Sequence, residues 1–158
     1  MPDLALYQPD IPQNTGTLLR LAACLGTPVH IVEPAGFDAS DRAMRRAGMD
    51  YLGRVELTRH RDWDAFVATI RGHGRRLVLA TTRAALPYTE FGFAPSDVVL
   101  LGRESAGVPA HVHEVADARV TIPMREGLRS INVALAGAII LGEALRQTGD
   151  FPAPPVLA

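Results

Sequence analysis

Four stretches of the chain are apolar, broken only by His30 in the second: Leu4–Tyr7, Val29–Val32, Leu77–Ala80 and Val98–Leu101. None alternates with polar residues. Near-continuous runs of this length belong to strands covered on both faces, as in a parallel sheet. Val55–Leu57 and Arg119–Ile122 read as two weaker strands. Between the runs, apolar positions recur at helical spacing. Leu18, Leu19, Leu21, Ala22 and Leu25 predict a helix beginning near Thr15 and stopped by Gly26. Asp38–Ala47 predicts a short basic helix. Trp63, Phe66, Val67 and Ile70 mark an amphipathic helix opened by Asp62. Val108–Val115 and Ser130–Thr148 supply two more. Strands alternating with helices predict an α/β fold, a parallel sheet with helices on both faces. No repeat, linker or low-complexity block interrupts residues 1–158, so one domain is expected, with residues 150–158 as a surface tail.

The last predicted helix is apolar almost all the way round, so it must be buried on several sides. Its small residues Ala134, Ala136, Gly137, Ala138 and Gly142 suit close packing against its own sheet and a second subunit, with Gly137 at the subunit contact. A polar loop, Arg125–Arg129, separates it from the strand end at Ile122. In parallel sheets, ligands sit outside the carboxyl ends of the strands. The loops after Ala80, Leu101 and Ile122 are therefore the candidate site.

The charge balance changes this picture little. Sixteen Lys and Arg against 17 Asp and Glu give a net charge of −1, which excludes coating nucleic acid by bulk charge. A local basic cluster, Arg42, Arg45, Arg46, Arg54, Arg59 and Arg61, is still available. The one cysteine, Cys24, permits no internal disulfide and fits a reducing cytosol; it reads as a small core residue. The N-terminus lacks signal-peptide features, and Val133–Gly142 is shorter than the ~20 residues that cross a bilayer. A soluble cytoplasmic protein is expected.

The common nucleotide and metal motifs are missing. There is no GxxxxGK[ST] loop, and Gly72-His73-Gly74 precedes a strand rather than a helix. No HExxH or paired-cysteine site occurs. His111, His113 and Glu114 make a weak metal candidate, because histidines two apart on a helix point away from each other. More informative is the loop Leu101–Pro109. Gly102 and Gly107 let the backbone approach a ligand closely, and Glu104 between them is either a helix cap or a substrate contact. Asn14 falls at the cap position of the first helix, with Arg20 opposite its leucine stripe. Arg129, Ser130 and Asn132 open the last helix. Ser130 suits an N-cap, and Asn132, beside an apolar surface, needs a polar partner.

Taken in order, NTGTLLRLA (Asn14–Ala22), LLGRESAGVP (Leu100–Pro109) and IPMREGLRSINVALA (Ile122–Ala136) resemble the three motifs of the SPOUT, or α/β-knot, RNA methyltransferases. The likeness is strongest to the small branch that methylates the ribose 2′-hydroxyl of the tRNA wobble nucleotide. LYQPDIPQNTG, HIVEP (His30–Pro34) and RRAGMDY (Arg45–Tyr51) extend it over nearly the whole chain. One departure is Gly142, where the branch often carries a tyrosine.

The resemblance implies a C-terminal trefoil knot, a homodimer, and S-adenosylmethionine held largely by backbone groups. It places the cofactor at Ala80, Thr81, Gly102, Glu104, Gly107, Ile122, Met124, Leu128 and Ser130. It gives the reaction to Arg20 with Asn14, Ser130 and Asn132. A tRNA anticodon stem-loop would then meet Arg42, Arg45, Arg46, Arg59 and Arg129. No metal and no membrane are implied. Methylation of another tRNA or rRNA nucleotide and a non-catalytic RNA-binding dimer stand as alternatives.

Overall fold

The computed structural model describes residues 1–46 and 51–154. Strands β1 (Asp3–Tyr7), β2 (Val29–Val32), β3 (Leu57–His60), β4 (Arg76–Ala80), β5 (Asp97–Leu101) and β6 (Ala118–Val120) form one sheet in the order β3-β2-β1-β5-β4-β6. Every neighbouring pair is parallel. Helices α1 (Pro12–Leu25), α2 (Asp41–Arg46), α3 (Trp63–Gly72), α4 (Ala110–Val115) and α5 (Val133–Thr148) complete the fold.

The near-continuous apolar runs have a direct structural cause. Successive strand side chains point to opposite faces, and both faces are covered. Leu4 and Leu6 pack in one core with Leu18 and Leu19 of α1 and with Ile140 and Ala144 of α5. Ala5 and Tyr7 face the other core, with Trp63, Phe66 and Ile70 of α3 and Val112 of α4. Asp62 caps α3 as predicted, its carboxylate accepting from Ala65 N at 2.8 Å.

α2, α4 and β6 are each shorter than the sequence expectation, and β3, α1 and α5 differ from it in ways that matter for the site. β3 lies further along, through Thr58, Arg59 and His60, because it is the outermost strand and its ladder does not require apolar side chains. His60 is nevertheless buried; its Nε2 lies 3.0 Å from Nδ1 of His30, whose Nε2 lies 3.4 Å from Asp3. Arg75 closes this chain on Asp3. α1 begins at Pro12, which lacks only an N–H that the first turn leaves unpaired anyway. Asn14 therefore sits inside the first turn rather than at the cap. α5 is capped by Asn132, whose Oδ1 accepts from Ala134 N at 2.8 Å and Leu135 N at 3.3 Å. Ser130 lies before the cap.

Two packing expectations are corrected. Gly137 faces its own core, where a Cβ would lie 2.7 Å from Leu101 Cδ1 and 2.8 Å from Leu18 Cδ2. The outer side of α5 carries Leu135 and Ile139 instead, 59% and 39% exposed, with Gly142 facing open space. Cys24 is exposed, not part of the core. Residues 47–50 of the RRAGMDY motif and 155–158 of the tail lie outside the described residues. No helix among the described residues is long and apolar enough to cross a membrane.

Candidate active site

A cavity of about 370 Å³ opens at the carboxyl ends of β4, β5 and β6, as the parallel sheet led us to expect. Ala80, Thr81 and Thr82 line it after β4, and Gly102, Arg103, Glu104, Gly107 and Val108 after β5. Thr121, Ile122 and Met124 follow β6, and Ser130 to Val133 lead into α5.

The wall after β5 is backbone. Arg103 and Gly107 exchange both their amide hydrogen bonds at 2.9 Å, folding the loop back on itself. Gly107 has φ +64°, and a Cβ on Gly102 would come 2.8 Å from the carbonyl carbon of Gly107. Both glycines are therefore required by the loop's shape. The other walls are strapped together. Thr81 N donates to Val120 O at 2.9 Å, and Thr121 exchanges hydrogen bonds with Leu86 and Tyr88 at 2.9 Å.

A chain of side chains crosses the polar rim. Glu104 accepts from Asp10 N at 2.8 Å and from Asn14 Nδ2 at 3.3 Å. Asn14 Oδ1 accepts from Asn132 Nδ2 at 3.0 Å. Asn132 thus finds the polar partner its position demanded, and it joins the rim to the cap of α5. Asp10 accepts from Arg103 Nη2 at 2.6 Å and Nε at 3.1 Å, and from the amide and hydroxyl of Ser105. The Arg103 hydrogen bonds, followed by those of Ser105, hold the Asp10 carboxyl down to about 2.

Of the predicted cofactor residues, Ala80, Thr81, Gly102, Glu104, Gly107, Ile122, Met124 and Ser130 line the cavity. Leu128 does not; it is 66% exposed, in a turn where its amide donates to Arg125 O at 3.3 Å. Asn14, Ser130 and Asn132 are on the wall, whereas Arg20 is outside it. Arg20 is exposed on α1, with its guanidinium 4.9 Å from the centre of the Tyr51 ring. Arg42 and Arg45 are exposed on α2, Arg59 is half-buried on β3, and Arg129 is exposed beyond the cavity. The Arg46 side chain lies outside the described residues. Among the described residues, no cluster of His, Cys, Asp or Glu is placed to hold a metal ion.

Asp10, Arg103, Thr82 and Ile131 belong to the site or its rim without having been singled out in the sequence. The available signal for Asp10 was its place in a loop fixed by Pro9 and Pro12, where an acidic side chain has few directions to point.

Loops from three neighbouring strand ends converge on one glycine-built cavity, a small-molecule site at the carboxyl edge of a parallel sheet. Residues 2–142 match the SpoU rRNA Methylase family model, and the chain belongs to that family. It is 66% identical over 148 residues to a tRNA (cytidine(34)-2′-O)-methyltransferase of Ancylobacter novellus, covering 94% of each chain. A solved structure concerned with the 2-OH methylation of C/U34 on tRNA superposes with a TM-score of 0.84 at 39% identity, covering 93% of this chain and 90% of the other. A SpoU methyltransferase from Streptomyces viridochromogenes, in complex with the cofactor AdoMet, superposes with a TM-score of 0.79 at 27% identity. That match covers 93% of this chain and 57% of the larger protein.

Proposed function

We propose that this protein transfers a methyl group from S-adenosylmethionine to the ribose 2′-hydroxyl of the wobble nucleotide, position 34, of tRNA. The observation that carries this reading is the likeness, along nearly the whole chain, to the Ancylobacter novellus enzyme of that activity.

The cavity fits the cofactor. Its volume, about 370 Å³, falls within the ~300–1,000 Å³ of small-molecule sites. Apolar Leu101, Val108, Ile122 and Ile140 stand beside peptide groups that no side chain crowds at Gly102. When bound, S-adenosylmethionine supplies an electrophilic methyl group on a sulfonium sulfur. Ala80, Thr81, Gly102, Gly107, Ile122 and Met124, which line the cavity, would hold it. Glu104, committed to Asp10 and Asn14, keeps the loops in register.

Asn14, Ser130 and Asn132 place the ribose at the rim. In the transfer the 2′-oxygen would take the methyl group, S-adenosylhomocysteine would leave, and the hydroxyl proton would pass to solvent at the open rim, where Ser130 and Asn132 are exposed. Arg20 presents a guanidinium cation with five N–H donors and no acceptor. It therefore orients the ribose and a neighbouring phosphate and stabilises the negative charge growing on oxygen. Orientation accounts for much of the barrier reduction. Arg42, Arg45, Arg46, Arg59 and Arg129 take phosphates of the anticodon stem-loop.

The same reading includes a cytoplasmic homodimer and a C-terminal trefoil knot. The dimer is supported by the uncovered apolar residues Leu135 and Ile139 on α5. The knot is supported by the strapping of residues 86–88 onto Thr121 at the exit of β6. Incubation with labelled cofactor and an unmodified tRNA transcript, followed by mass spectrometry of nuclease fragments, is expected to place one methyl on the ribose of nucleotide 34. A methyl on any other nucleotide, or none, would sink the wobble assignment.

A further inference from the structure

We propose that Asp10 is a positioning residue for the cofactor, fixing the β5–α4 loop and neutralising Arg103 at the wall of a cavity that admits a cation. The inference rests on the methyltransferase reading above.

The sheet order explains why such a residue is needed. Strands run from β1 through β2 to β3 on one side, whereas β5, β4 and β6 lie on the other. The loops leaving adjacent β1 and β5 therefore part at the sheet's switch point, and the sheet itself does not hold them together. Asp10 spans that gap. One carboxylate oxygen takes the fork of Arg103, at 2.6 and 3.1 Å, and the other takes the amide and hydroxyl of Ser105. Arg103 and Ser105 flank Glu104, which accepts the Asp10 amide in return at 2.8 Å. The two carboxylates thus interlock the loops from opposite directions. Gly36 backs the arrangement; its amide donates to Pro9 O at 2.8 Å, and a Cβ on it would meet Asp10 at 3.1 Å.

The chemistry of the ligand gives this clasp a second consequence. Arg103 lines the cavity; Asp10 does not. S-adenosylmethionine carries a positive sulfonium, and its product, S-adenosylhomocysteine, has a neutral sulfur there. A guanidinium without its carboxylate would repel the first and leave the second alone. The depressed Asp10 pKa, about 2, keeps the counter-charge in place across the physiological range.

Calorimetry with both ligands on the full chain tests this. In Asp10→Asn the ratio of the S-adenosylmethionine Kd to the S-adenosylhomocysteine Kd is expected to rise about tenfold. Asp10→Glu, which keeps the charge, should return it towards the unmodified value, and so should adding Arg103→Gln to Asp10→Asn. An unchanged ratio in Asp10→Asn, including equal losses for both ligands, overturns the inference. Should Asp10→Asn not fold, Arg103→Gln alone, which leaves an uncompensated carboxylate, must shift the ratio the opposite way; no shift overturns the inference equally. If the unmodified protein binds neither ligand, it is the methyltransferase reading that falls.

Discussion

Tyr51 limits where the Arg20 guanidinium can go, and this bears on catalysis one side chain at a time. A cation held over an aromatic face at an exposed site is worth ~0.5–1 kcal/mol, so the ring biases the arginine without locking it. Arg20→Ala is expected to lower the single-turnover methylation rate about 100-fold or more, the usual loss for a charge-stabilising donor. Tyr51→Ala should cost only several-fold at saturating cofactor, and Tyr51→Phe should restore the rate. A Tyr51→Ala variant at full rate would separate the stack from the chemistry. At Gly102, the 2.8 Å approach to Gly107 backbone leaves nothing flexible to yield. Gly102→Ala should abolish measurable S-adenosylhomocysteine binding in calorimetry while the protein stays folded by circular dichroism. At this scale the sequence exposed Asn14, Glu104 and Asn132, polar residues in segments with little else polar to bond. It hid the Asp10–Arg103 pair, because the two lie 93 positions apart and only strand adjacency joins them.

Strands β1, β2, β4 and β5 were legible because burial on both faces keeps their runs apolar, with charged residues only at the first positions of β1, β4 and β5 and a single histidine, His30, in β2. β3 was misplaced because an outermost strand can carry Thr58 and Arg59, and its buried residue, His60, is polar. The starts of α1 and α5 were misread for a related reason. Pro12 resembles loop punctuation yet opens a helix, and of two capping residues near α5 only Asn132 has helix amides within reach. α5 divides its duties by face. Gly137→Leu should cost ~1–3 kcal/mol of stability through overpacking, read as a lower melting temperature, because Leu18 and Leu101 already occupy the space. If the proposed dimer uses the exposed face, Leu135→Glu should convert it to monomer in sedimentation without collapse of the fold. A Leu135→Glu protein that still sediments as a dimer would move the subunit contact elsewhere.

Across the whole molecule, two electrostatic behaviours follow from where charges are buried and where they are not. Burial, and then the neighbouring His30, hold His60 below the ordinary histidine value of 6.5. The folded state favours the neutral ring, so its contribution is present above 6.5 and is lost as pH falls through the lower folded pKa. Melting temperatures should therefore drop between neutral and mildly acidic pH, and the drop should be smaller in His60→Asn. The surface behaves differently. With a net charge of −1, the proposed tRNA contact would fall to local arginines, so Arg42→Ala should reduce the salt slope of binding by about 0.7–0.9. Apart from Ile11 and Asn14, the cavity wall comes entirely from Ala80 onward, whereas Arg20, Arg42, Arg45 and Arg59 come before it. α1 carries Asn14 at its cavity end and Arg20 further along, and so belongs to both halves. Cooperativity between the two substrates would run through that helix, and it would be reciprocal. Whatever factor bound cofactor adds to tRNA affinity, bound tRNA must add to cofactor affinity.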